Sequence, residues 1–233
     1  MSFVLSVAVI ICAYLIGSIP SGLLIVKLTK GVDIRQIESG RTGGTNAMRA
    51  GGFWAGLGTA IFDMLKATVC VWLARGLIPG AIWLEIIAPV MAILGHNYSI
   101  FLLERGEGGI QFRGGAGGAP AAGGALGLWL PSMFFIVPLA AIILYFIGYA
   151  SVATLSIPLV TIVIFAIRAW LGAAPWEYVL YGLIAESILI WALRPNLRRL
   201  FNGTERLVGY RAKRKRKNTD YSTSSSSTPS GSS

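Results

Sequence analysis

Long apolar runs, separated by short polar loops, decide most of what this chain can become. Seven can be marked, at residues 3–26, 53–74, 81–102, 116–130, 132–149, 152–170 and 177–193. Several reach the ~20 residues that a helix needs to cross the hydrocarbon core of a bilayer. The chain is 55% hydrophobic and only 13% charged, against about 25% charged in soluble domains. An all-α polytopic membrane protein of about seven spans is predicted, with some spans short or broken. The fourth run is short and rich in Gly and Ala, the composition of a re-entrant or broken helix. The first continues to Lys27 with no basic region before it, so it reads as a retained span and not a cleaved signal. Residues 1–200 are expected to form a single membrane domain, and 201–233 a basic and then Ser-rich disordered tail.

Charge sets the orientation. Lys27, Lys30, Arg35, Arg41, Arg49, Arg105, Arg113 and the C-terminal cluster fall on one side of the membrane, and Arg75 and Arg168 on the other. The positive-inside bias then puts the N-terminus outside and the C-terminus in the cytoplasm. The net charge of +10 resides mostly in the run from Arg211 to Lys217, which next to a spanning helix faces an anionic leaflet and not nucleic acid. Cys12 and Cys70 sit in apolar runs and form neither a disulfide framework nor a metal site.

Two cytoplasmic loops carry chemistry. Ser39-Gly40-Arg41-Thr42-Gly43-Gly44-Thr45-Asn46, followed by Arg49, combines close backbone approach with hydrogen-bond donors and fixed positive charge, which suits a phosphate. Arg113-Gly114-Gly115-Ala116-Gly117-Gly118-Ala119 opens the fourth span, where free N–H groups and the helix dipole favour an anion. It lacks the Gly-Lys-Ser/Thr of a nucleotide loop, and its small residues would equally serve close packing. Asp63 and Lys66 share a helix face at i, i+3 and can pair inside the membrane, either as a structural tie or with Lys66 supporting an anion above it. Glu186 is a further ionisable group at depth. His96, the only histidine, stands in Gly95-His96-Asn97-Tyr98-Ser99 with no acid four or five positions beyond it, so the His-x4-Asp dyad of common glycerolipid acyltransferases is absent.

Together with Gly17-Ser18-Ile19-Pro20-Ser21-Gly22, Gly31-Val32-Asp33-Ile34-Arg35 and Arg194-x-Asn196-x-x-Arg199, these motifs resemble, in order, the bacterial acyl-phosphate-dependent glycerol-3-phosphate acyltransferases, the PlsY family. The resemblance spans most of residues 10–200. It implies a seven-helix enzyme of the bacterial inner membrane with a cytoplasmic active site. Such an enzyme moves a fatty acyl group from acyl phosphate to the 1-hydroxyl of glycerol 3-phosphate, giving lysophosphatidic acid for phospholipid synthesis. No metal or other cofactor, no acyl-enzyme and no nucleic acid partner is implied, and a monomer in the bilayer is expected. By motif, Ser39, Arg49 and Asn196 would contact the glycerol phosphate. Gly40, Gly43, Thr45 and Asn46 would cradle the acyl phosphate, and His96 would be a polar active-site residue. Arg41, Lys66, Arg113, Gly114, Gly115, Gly117, Arg194 and Glu186 complete the expected substrate-binding set.

The chain departs from the family pattern at several positions. Glu38 replaces a Gly and Arg41 an Asn in the phosphate loop. Ala116 replaces a Lys in the Gly-rich loop, Leu193 stands where a His often precedes Arg194, and roughly ten residues are added around Glu104–Gln111. These changes motivate a second reading, a degenerate relative that binds lipid phosphates without acyl transfer. A transporter is a third reading, disfavoured by the lack of an internal repeat.

Overall fold

The computed structural model describes residues 2–106, 109–212 and 214. The Ser-rich part of the expected tail therefore lies outside the described residues. Six helical stretches are long and apolar enough to cross a membrane. They are α1 with α2 (Ser2–Ser18 and Ser21–Lys30), α4 (Phe53–Leu77), α5 (Ile82–Asn97), a segment containing α7 (Met133–Ile142) that continues as a π turn over Ile143–Ile147, α8 (Ala150–Trp170) and α9 (Glu177–Phe201). Between them lie the short α3 (Gly44–Gly51), a hairpin of β1 (Leu103–Gly106) and β2 (Gly109–Phe112), and α6 (Gly118–Leu128).

The fourth apolar run is α6, 11 residues or about 16 Å long, too short for a ~30 Å core. It is apolar on every side because it is enclosed: residues Pro120–Leu128 are all buried, packed between α4, α5 and α8. Its glycines permit that enclosure. A Cβ on Gly123 would overlap the Met64 carbonyl oxygen of α4, and one on Gly124 the Tyr181 hydroxyl. The same contact is hydrogen-bonded, Thr68 Oγ1 donating to Gly123 O at 2.8 Å and Tyr181 Oη to Ala121 O at 2.8 Å. Gly123→Ala is expected to cost roughly 1–3 kcal/mol by overpacking, measured as a lower thermal midpoint in detergent.

The first span is broken at Ile19-Pro20. Proline removes a donor and frees carbonyls that no water can reach in a bilayer. Lys66 answers this defect: its Nζ donates to Gly17 O at 3.0 Å and Ile19 O at 2.7 Å while pairing with Asp63 at 2.8 Å. Ser99 Oγ donates to Ser18 O at 2.6 Å. The intramembrane lysine is thus tied to the break in the helix.

The exposed surface is apolar where lipid would touch it. Phe53, Trp54, Trp191 and Phe201 stand out at the end that carries the two glycine loops, and Trp83, Trp170 and Trp176 at the other, as aromatic belts do. The tail boundary expected at residue 201 moves outward. Beyond α9 the chain turns back, Leu207 bridges to Tyr149, Val208 N–H donates to Gly148 O at 2.8 Å, and Glu205 is buried.

Candidate active site

A cleft of about 750 Å³ opens at the loop end of the bundle. One wall is the phosphate loop. Asn46 holds this loop closed, its Nδ2 lying within hydrogen-bonding distance of Ile34 O, Ile37 O and Arg41 O at 3.2, 3.0 and 2.8 Å. The loop feeds α3 with Gly43 as N-cap. Asn46 N–H and Ala47 N–H both point back to Gly43 O, so the N-terminus of α3, with Gly43, Gly44 and Thr45, faces the cleft. The second glycine loop is laid over the end of α5: Gly115 N–H donates to His96 O at 2.9 Å, and Thr42 N–H to Gly114 O at 3.2 Å. A Cβ on Gly114 would overlap His96 O and Asn97 O, and one on Gly115 the His96 imidazole. Only glycine allows this approach. Gly117 then takes a left-handed φ of 88° as the N-cap of α6, and Gly118 and Ala119 bring that second helix start to the same cleft.

Of the expected residues, Ser39, Arg41, Gly43, Thr45, Asn46, Arg49, His96, Gly117 and Asn196 line the cleft. Several others lie elsewhere. Gly40 makes the loop turn at φ 67°, its N–H donating to Ile37 O at 2.9 Å. Gly114 and Gly115 serve the loop contact just described. Lys66 caps the broken first span. Arg113 pairs with Glu104 at 2.9 Å. Arg194 is turned outward, its guanidinium 3.2 Å from the Trp191 ring centroid and its Nε donating to Trp191 O. Glu186 is half-buried on α9, away from the cleft.

The structure adds residues that motif reading passed over. Asn196 and Arg199 are three apart on α9 and both face the cleft, so helical spacing selects Arg199 where the motif pointed to Arg194. Glu205 accepts from Ser151 Oγ at 2.6 Å and from Asn196 Nδ2 at 3.4 Å. An ion pair between Glu38 and Arg206 spans two lining residues at the cleft mouth. Asp63 supplies the acid that His96 lacks in sequence, its Oδ1 3.4 Å from His96 Nδ1. Burial lowers the pKa of the Arg49 guanidinium, with Glu205 opposing. Burial and then Arg199 lower that of Arg41, whose Nη2 donates to Ala192 O at 2.6 Å. Crowded, partly desolvated cations of this kind favour an anion between them.

From this polar end the cleft continues along Phe53, Leu57 and Ile61 of α4 and Ile136, Val137 and Ala140 of α7. Leu57, Ile61 and Val137 are also exposed on the lipid-facing surface. A polar wall of arginines and helix N-termini thus adjoins an apolar track that opens on the outer apolar surface.

Comparison with known proteins gives the family and the fold. The family model described as glycerol-3-phosphate acyltransferase matches residues 7–203. The chain belongs to that family. A glycerol-3-phosphate acyltransferase of Thermus thermophilus is 37% identical over 205 residues, covering 87% of this chain and 95% of the relative. Glycerol-3-phosphate acyltransferase 2 of Moorella thermoacetica is 37% identical over 207 residues, covering 87% and 97%. The crystal structure of PlsY (YgiH), an integral membrane glycerol 3-phosphate acyltransferase, superposes in its glycerol 3-phosphate form with a TM-score of 0.74 at 28% identity, covering 88% of this chain and 96% of that one.

Proposed function

We propose that this chain transfers a fatty acyl group from acyl phosphate to the 1-hydroxyl of glycerol 3-phosphate, releasing orthophosphate and lysophosphatidic acid. One observation carries the reading: two helix N-termini and Arg41, Arg49 and Arg199 converge on a cleft that runs on as an apolar track between α4 and α7. That is room for two phosphates and one acyl chain. The solved relative is described in a glycerol 3-phosphate form and in a lysophosphatidic acid form, which supports both acceptor and product.

In this scheme Ser39, Arg49 and Asn196 hold the glycerol phosphate, and the α3 start holds the acyl phosphate. The hydroxyl oxygen attacks the acyl carbon, the bond to the phosphate oxygen breaks, and a phosphate oxygen takes the hydroxyl proton. The leaving group is already good, so the protein's task is to hold two anions together and to meet the charge that develops. His96, held by Asp63 on one side and the Gly115 backbone on the other, keeps the two loops in register. Arg41 reaches α9 at Ala192, beside Leu193, and supplies positive charge to that wall of the cleft. The site is built within one chain, so a monomer suffices. The Lys and Arg bias toward the loop end of the bundle supports a bacterial inner-membrane orientation with the N-terminus outside and the cleft and C-terminus in the cytoplasm.

Ala116 and Leu193 both line the cleft, the observation that favours a lipid-phosphate binder without turnover. Palmitoyl phosphate and palmitoyl-CoA supplied in parallel with labelled glycerol 3-phosphate separate the readings: lysophosphatidic acid is expected from the phosphate alone, and binding without product from either donor would favour the binder. Ala116→Lys, which puts an ammonium into the cleft, is expected to keep or raise turnover with acyl phosphate. A large loss with unchanged folding would show that this loop holds the donor differently.

A further inference from the structure

The hairpin of β1 and β2 has two unlike faces. Leu103 stands opposite Phe112, and Arg105 opposite Ile110, while Glu104 stands opposite Gln111. Directly opposed residues share a face and neighbours alternate, so Leu103, Arg105, Ile110 and Phe112 form one face and Glu104 and Gln111 the other. The second face is anchored: Glu104 accepts from Arg35 Nη1 at 3.1 Å and from Arg113 Nε at 2.9 Å. The first is exposed, with Ile110 at 66% and Phe112 at 50%. A patch of this kind on a monomer calls for a partner.

We infer that this face lies in the headgroup region of the adjoining leaflet, its apolar side chains in the acyl boundary and Arg105 at the lipid phosphates. Position favours lipid over a soluble protein. One 3₁₀ turn, Ile100–Leu102, separates the hairpin from the end of the spanning helix α5, and in that turn Ile100 and Phe101 are themselves exposed. The apolar strip is therefore continuous with the lipid-facing surface, at the end of the bundle that carries Phe53, Trp54, Trp191 and Phe201. Apolar residues interleaved with a basic one are the composition of interfacial elements. Glu104 fastens the hairpin to Arg35, four residues before the phosphate loop, and to Arg113, which leads into α6.

The test uses the full chain in nanodiscs of mixed phosphatidylcholine and phosphatidylglycerol. Cys12 is replaced by Ser, Cys70 is left because it is buried, and an environment-sensitive fluorophore is attached through Ile110→Cys or, on the opposite face, Gln111→Cys. The label at 110 is expected to emit to the blue, to be quenched by headgroup-proximal spin-labelled lipid, and to resist aqueous iodide, while the label at 111 stays open to iodide. Adding Arg105→Glu should weaken lipid quenching at 110 in anionic discs more than in neutral ones. Water-like emission and full iodide access at 110 would overturn the inference and leave the face for a soluble protein partner. Equal shielding at 110 and 111 would overturn it too, by showing that the label and not the face drives insertion.

Discussion

Arg49→Ala is expected to lower acyl transfer by about a hundredfold or more while leaving the folded yield intact. Arg49 is half-buried on α3, faces the cleft, and has no ion-pair partner within 4 Å among the described residues. The fold therefore loses little without it. A charge-assisted hydrogen bond contributes roughly 1.5–3 kcal/mol, and a donor aimed at charge that develops in the transition state about 10²–10³ in rate. Arg49→Lys should recover only part of the loss, because an ammonium restores the charge and not the planar fork. Steady-state rates and a thermal midpoint on the same preparation check both halves. Normal turnover in Arg49→Ala would remove this residue from the site.

The second large effect is on stability. Asp63 is 1% exposed, paired to Lys66 at 2.8 Å and set against His96 at 3.4 Å. Removing one member of a buried pair leaves a charge in a medium that cannot solvate it, at a cost of about 3–5 kcal/mol. Asp63→Ala should lower the thermal midpoint strongly. Asp63→Ala combined with Lys66→Met should recover part of that, because the stranded ammonium is gone, although Gly17 O and Ile19 O then lose their donor. A double variant no more stable than the single one would mean that the carbonyl contacts, and not the ion pair, carry the effect.

Much of this architecture is legible in the chain because a bilayer leaves few options: apolar length marks the spans, and the fourth run already reads as short or broken. The polar loops are legible as loops from their Gly, Ser, Thr, Asn and Arg in close order, and the structure brings residues of both to one cleft. What sequence spacing could not supply is direction. Arg194 and Arg199 look alike in the motif, yet one covers Trp191 and the other faces the cleft; their helical phase relative to Asn196 tells them apart. Lys66 reads either as a structural tie or as support for an anion, and spacing alone does not reveal the carbonyls at the Pro20 break that it meets. The acid partner of His96 lies 33 residues earlier in the chain, on a different helix, where no local pattern could find it. The contacts just beyond residue 201 are not legible either, because a mostly basic composition draws attention away from Glu205, which accepts from Ser151 and Asn196.

The most direct measurement is product formation by the purified chain in lipid, supplied with palmitoyl phosphate and radiolabelled glycerol 3-phosphate, with Ser39→Ala run as the blank. Ser39 lines the cleft at the start of the phosphate loop, and its loss should abolish most turnover without unfolding the protein. The expected result is labelled lysophosphatidic acid, with orthophosphate released in equal amount, from the unaltered chain alone. Well-folded protein that binds glycerol 3-phosphate but yields no product from any acyl donor would contradict the proposed transfer and leave a lipid-phosphate binder in its place.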